Sequence, residues 1–192
     1  PLALGASTPK PPSFLHVEEL PPVRTRDGVV LDEDAVGALL EMMQVAPVEP
    51  RYAGIDVVVA ACDGESLAVF ARELLEQWVL GDAPGRAEWM LEAVVWFPSA
   101  AGDARVAELA REWAQKNAAK AGRACGALAR IGSDVAIMHL AHIAETSRFD
   151  ALRKDAAALV AEVAAASGLT EDELADRSVP DAGLGPDGTI VL

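Results

Sequence analysis

Sulfur, imidazole and phenol are scarce in this chain: two cysteines, three histidines and one tyrosine in 192 residues. Cys62 and Cys125 lie far apart and outside any C-x-x-C, which excludes a disulfide-stapled scaffold and a cysteine zinc module. Both sit among apolar residues and are expected as buried free thiols in a reducing cytoplasm. No run approaches the roughly 20 apolar residues of a bilayer span, and no basic-then-apolar leader opens the chain. A membrane is therefore not an expected partner. Positive charge is also short: 16 Lys and Arg stand against 30 Asp and Glu, a net charge of −14. A surface that acidic repels phosphate backbones, which disfavours nucleic acid as a partner for the surface as a whole. β-branched residues do not alternate in long runs, which argues against a large sheet.

What remains is apolar and helix-forming. Hydrophobic residues make up 52% of the chain while aromatics are 5%, with alanine filling the difference. Alanine has the best helix propensity and lets helix axes approach closely. Half of the twelve prolines fall within residues 1–31, and proline fixes φ and removes a donor, so 1–31 reads as an extended arm. Its Phe14, Leu15, Val17 and Leu20 are expected to pack on the helical body. Asp27-Gly28 marks a turn, with Val29–Leu31 as a short strand. From Asp32 the period becomes helical: Asp32 is an N-cap, and Val36, Leu39, Leu40 and Met43 form one face. Leu67, Phe70, Ala71, Leu74, Leu75 and Trp78 keep that spacing over three turns, with Gly81 as the stop. "IDVVVAAC" before them reads as a short buried helix.

A weak internal repeat follows. "GDARVAELAREWA" places Asp103, Val106, Leu109, Ala110 and Trp113 where "SDVAIMHLAHIAE" places Asp134, Ile137, Leu140, Ala141 and Ala144. Helical segments Arg86–Phe97 and Lys120–Ile131 precede the two copies. The pattern predicts stacked helical hairpins: glycine makes the tight turn, Asp103 and Asp134 cap the second helix, and an apolar stripe packs on its neighbours. A long helix is expected over about 149–166, stopped by Ser167-Gly168. Thr170 and Glu173 then form a capping box. The fold expected is all-α, a HEAT-like, α-solenoid-like stack of irregular hairpins over residues 32–177, with a Pro-rich arm before it. Residues 178–192 read as a loop and the start of a strand leading into a missing C-terminal region. The opening Pro1 and the closing "TIVL" read as ends cut from something longer.

The candidate chemistry is thin. Gly183, Gly185 and Gly188 spell G-x-G-x-x-G, but a dinucleotide loop needs a strand before it and a helix after it. Here "DRSVPDA" precedes and "TIVL" follows, so the glycines read as a reverse turn. His139, His142 and Glu145 lie at i, i+3, i+6, and no further histidine but His16 of the arm could complete a metal site. The acidic clusters at Glu18-Glu19, Asp32–Asp34 and Glu171–Glu173 fit capping and solvated positions. No G-x-S-x-G elbow frames a serine nucleophile. Trp89 and Trp96 share a helix face, expected as core. No catalytic, cofactor-binding or metal residue is assigned, and no small-molecule ligand is identified. One stretch breaks the charge trend: from Ala114 to Ser133 the chain carries Lys116, Lys120, Arg123 and Arg130 and no acid, leaving −18 on the remainder. Those four are the candidate contacts for a partner or an anion.

"SLAVFARELLEQW", "LARIGSDVAIMHLAHIAE" and "GLTEDELADRSVPDAGLGPDGTIVL" resemble a bacterial family of unknown function. Its members include proteins labelled molybdate metabolism regulator-like (MolR-like), several of which also carry a WGR domain. The more specific parts are the "IGSD" turn and the tail L-x-D-R-x-V-P. The resemblance implies a HEAT-like segment ahead of a further C-terminal domain, and it brings no catalytic residues. The expectation is a non-catalytic interaction or scaffold segment of a larger cytoplasmic protein, partnered by another protein or by neighbouring domains of its own chain. Two alternatives stand beside it: part of an enzyme whose site the C-terminal region completes, and a nucleic-acid-associated module using the basic stretch.

Overall fold

Asp32 accepts a hydrogen bond from the Ala35 amide at 2.9 Å, with Glu33 and Asp34 in the first turn. This satisfies one of the donors that a helix start leaves open, and α1 runs Glu33–Val45. In the structure, a computed structural model describing residues 10–47, 50–170 and 173–174, seven more helices follow. They are α2 (Ala53–Ala61), α3 (Gly64–Leu80), α4 (Trp89–Trp96), α5 (Ala100–Trp113), α6 (Ala118–Ile131), α7 (Asp134–Thr146) and α8 (Asp150–Ser167). The described residues are thus all-α. Two compact units divide the chain, Pro1–Gly102 and Asp103–Leu192, a division inside α5 and within the stretch read as one helical domain.

In the first unit α3 packs on α4, and α1 also meets α4. The α3 face is the one its spacing predicts: Leu67, Phe70, Ala71, Leu74, Leu75 and Trp78 are buried. Each large side chain so buried contributes about 1.5–3 kcal/mol. The arm lies along this helix. Leu15 and Val23 are buried, and Val17 and Leu20 are half-buried. Gln77, buried on α3, accepts from the His16 amide at 2.8 Å and donates to the His16 carbonyl at 3.3 Å. Further along, the Asp63 amide donates to the Arg24 carbonyl at 2.8 Å and the Arg26 amide to the Ala61 carbonyl at 3.0 Å. Residues 29–31 form no strand; isolated bridges join Arg24 to Val30 and Thr25 to Cys62 instead. The turn between them, with Gly28 at φ +89°, docks on helix ends that offer too few free backbone groups to extend a ladder.

Gly81 follows α3 for a reason other than left-handed geometry. Its φ is −76°, and a Cβ there would lie 2.7 Å from the Phe14 ring. The left-handed positions fall instead on Asp82 and Ala83, at φ 65° and 45°. A hydrogen bond from Trp78 Nε1 to the Pro84 carbonyl at 3.0 Å holds this turn.

In the second unit α6, α7 and α8 pack on one another. Small and branched apolar residues together line the contact: Ala121, Ala124, Cys125 and Leu128 of α6, Ile137, Leu140 and Ile143 of α7, and Leu152, Ala156, Val160 and Ala164 of α8 are buried. Gly132, at φ +62°, makes the turn between α6 and α7, and Gly168, at φ +69°, ends α8, as left-handed C-caps favour glycine. The caps of the repeat differ from the sequence expectation. Ser133, not Asp134, accepts from the Ala136 amide at 3.0 Å. Asp103 lies inside α5, where Ser99 accepts from the Gly102 amide at 3.1 Å. A serine one to four positions earlier takes the capping role, which frees Asp103 to turn inward. Beyond α8, Thr170 and Glu173 form the predicted reciprocal box: the Thr170 amide donates to Glu173 Oε2 at 2.8 Å and the Glu173 amide to Thr170 Oγ1 at 3.2 Å.

Candidate functional site

The four basic residues of the acid-free stretch divide between a turn and one helix. Lys116 is exposed in the turn after α5, and α6 carries the other three. The Asn117 side chain, accepting from the Lys120 amide at 3.0 Å, begins that helix. Lys120 stands over the Trp113 ring, its ammonium 6.0 Å from the centroid, a cation–π arrangement. Arg123 is half-buried and Arg130 exposed. The clefts at Arg111, at Val17 and at Gly64 are lined by other residues. Arg123 is thus part of the packed surface of α6, so reversing its charge perturbs the fold as well as any contact.

Between α5 and α7 the structure assembles a polar junction that spacing alone did not reveal. Asp103 is 1% exposed. Its Oδ2 accepts from Ser133 Oγ at 2.6 Å, while Oδ1 has no hydrogen-bond partner among the described residues. Burial pushes the Asp103 carboxyl above the usual carboxylate range, against the opposing pull of the Ser133 hydroxyl and the nearby His139 imidazole. His139 is half-buried and shifted down from the ordinary imidazole value, first by burial and then by the Arg111 and His142 charges; Asp103 and Glu108 pull the other way. No group of three metal-ligating side chains gathers among the described residues. Ser133 is already committed twice, to Asp103 and to the α7 cap, so this serine–aspartate–histidine neighbourhood is built as a structural joint. The sequence did carry a trace of it, the repeat that aligns the two turns.

The thiols are inert by environment. Cys62 and Cys125 are free and buried; desolvation raises both, Cys125 to about 12 with Asp155 adding to the effect. Trp96 is buried as expected of core, and Trp89 is half-buried. Gly183, Gly185 and Gly188 and the tail motif after Leu174 lie outside the described residues.

The least satisfied surface is α2. Its "AGIDVVVAA" is helical as expected, yet Ile55 is its only buried residue. Winding spreads seven apolar side chains around the axis, and the neighbours that approach it, the arm's Arg26 and Met42 of α1, leave most of them uncovered. Ala53, Val57, Ala60 and Ala61 face outward, at i, i+4, i+7 and i+8, and Val57 is 67% exposed. The Arg26 side chain donates to the Val59 carbonyl at 3.1 Å, which seats the arm's turn beside this helix. A stripe of that periodicity is the pattern of a helix meeting a partner.

Comparison with known proteins adds one relative. The chain is 32% identical over 184 residues to the uncharacterized protein YehI of Escherichia coli (strain K12). The match covers 93% of this chain and 15% of the relative, so the chain spans a small fraction of that protein's length. No protein-family model matches, and no solved structure matches.

Proposed function

We propose that this chain is a non-catalytic docking segment of a larger, MolR-like protein of the cytoplasm, and that the outward face of α2 receives another part of the same polypeptide. The observation that carries the reading is the apolar stripe Ala53–Val57–Ala60–Ala61. Leaving Val57 in water forfeits part of the roughly 1.5–3 kcal/mol that burying a valine supplies, and a covering segment recovers it. The occupant is assigned to the same polypeptide because the match covers 15% of the relative. Nearly all of a protein of that kind stands ready to supply a tethered helix at high effective concentration. Two reduced, buried cysteines suit a reducing compartment.

The test uses the inertness of the native thiols. Val57→Cys, introduced at the native locus, places one reactive sulfur on the stripe while Cys62 and Cys125 stay buried. The thiol should react quickly with a maleimide in the purified chain and slowly in cells. Equal rates in both sink the proposal. Protection of the purified chain that grows with its concentration assigns the face to a second copy instead.

A further inference from the structure

We infer that the cleft bounded by the end of α5, the last turn of α7 and the link into α8 binds a small organic anion, a phosphoryl group carried on an apolar body. The cleft encloses about 310 Å³ and is lined by Arg111, Ile143, Thr146, Ser147, Arg148 and Phe149. That volume is at the small end of ligand sites. All of its walls belong to the second unit.

The charge at this cleft runs against the rest of the molecule. In a chain of net charge −14, two arginines line one cavity whose lining holds no carboxylate. Of the acids on the adjoining turns, Glu145 is exposed in the last turn of α7 and outside the lining, and the others are engaged elsewhere. Glu108 and Glu112 both accept from Arg105 Nη1, at 3.3 and 3.4 Å, and Asp150 accepts from Arg153 at 2.6 Å. Arg111 and Arg148 form no ion pair among the described residues. Guanidinium is matched in shape to phosphoryl and carboxylate oxygens, and two of them compensate a dianion more completely than a monocarboxylate. The remaining lining suits the other half of such a ligand. The Arg148 guanidinium carbon stands 4.9 Å from the Phe149 ring centroid, which holds the arginine and presents a flat apolar wall. Ile143, 1% exposed, forms the floor. Ser147 adds a hydroxyl whose contacts with the Phe149 backbone, at 3.3 and 3.5 Å, are long enough to yield. A polyanion would bring its further charges against an acidic surface; a single phosphomonoester brings only the group that the two arginines compensate.

Phenyl phosphate is the probe, with inorganic phosphate and benzoate beside it, measured by calorimetry on the purified chain. Phenyl phosphate should bind more tightly than either. Arg111→Gln and Arg148→Gln should each weaken it about tenfold or more, with circular dichroism unchanged. A second readout needs no variant. His139 feels the Arg111 charge together with Asp103, Glu108 and His142. Binding of the anion compensates Arg111, so the His139 titration followed by NMR should move to higher pH. No binding at roughly 10 mM phenyl phosphate, a fixed His139 titration on saturation, or full affinity in a folded Arg111→Gln protein overturns the site. Inorganic phosphate binding as tightly refutes the apolar half of the ligand, and benzoate binding as tightly refutes the phosphoryl half.

Discussion

Ser133→Ala removes one hydroxyl and disturbs two structures at once. The hydroxyl caps α7 through the Ala136 amide at 3.0 Å and donates to Asp103 Oδ2 at 2.6 Å. Loss of a serine cap costs about 1 kcal/mol. Loss of a hydrogen bond to a buried carboxylate adds about 1–3 kcal/mol, because Asp103 is 1% exposed and its Oδ1 has no hydrogen-bond partner among the described residues to fall back on. The expected sum is about 2–4 kcal/mol, a large share of the 5–15 kcal/mol typical of a folded domain and roughly 5–15 °C in Tm. The penalty should also depend on pH. The Ser133 hydroxyl lowers the Asp103 pKa, so its removal lets burial raise that pKa further. A carboxyl raised in the folded state favours folding most when protonated, below its unfolded value, and that contribution is lost as pH rises through the folded value. The variant should therefore be relatively worse at neutral pH than near the ordinary aspartate pKa. Urea unfolding across that range, with Asp103→Asn and the double variant completing a cycle, measures it. A penalty below about 0.5 kcal/mol, or the same penalty in the Asp103→Asn background, would refute the joint.

Three further outcomes follow from the packing. Gly81→Ala should destabilise by about 1–3 kcal/mol through overpacking against Phe14, and Phe14→Ala in the same chain should restore part of the loss; thermal unfolding of the three variants beside the parent chain decides it. Gln77→Leu should leave the His16 amide and carbonyl without their side-chain partner, costing about 1–3 kcal/mol, with faster hydrogen exchange at His16 as the local sign. Cys125, raised to about 12, should react with a disulfide reagent at neutral pH only at the rate of unfolding, so addition of mild denaturant should speed it.

Much of the helical framework was legible because it follows local rules. Asp32 starts a helix, Leu67 to Trp78 keep one face inward, and Thr170 with Glu173 caps the next turn, all decided within a few residues. The misses arise where the decision is taken at a distance. Asp103 and Asp134 looked like caps at aligned positions, but only the fold shows serines taking that part and Asp103 buried against Ser133. The apolar run before Cys62 looked buried because hydrophobicity alone does not say how many sides of a helix have neighbours. The acid-free stretch was conspicuous in sequence, yet its basic residues spread over a turn and along α6, two of them half-buried. Arg111 and Arg148, too far apart to read as a pair, line one cavity because α5 and α7 end side by side.

Gln77 grips the arm by its main chain alone, receiving the His16 amide and offering its own amide to the His16 carbonyl. The imidazole of His16 takes no part, being 57% exposed with Glu18 beside it at 3.6 Å. Position 16 is therefore anchored without being specified. Selection acting on this anchor would read Gln77 and leave its counterpart free to drift through almost every side chain. Proline is the exception, since it brings no amide hydrogen to the clasp. A family-wide record of substitution should accordingly show a fixed glutamine facing a variable residue, an asymmetry that a pairwise covariation search would pass over.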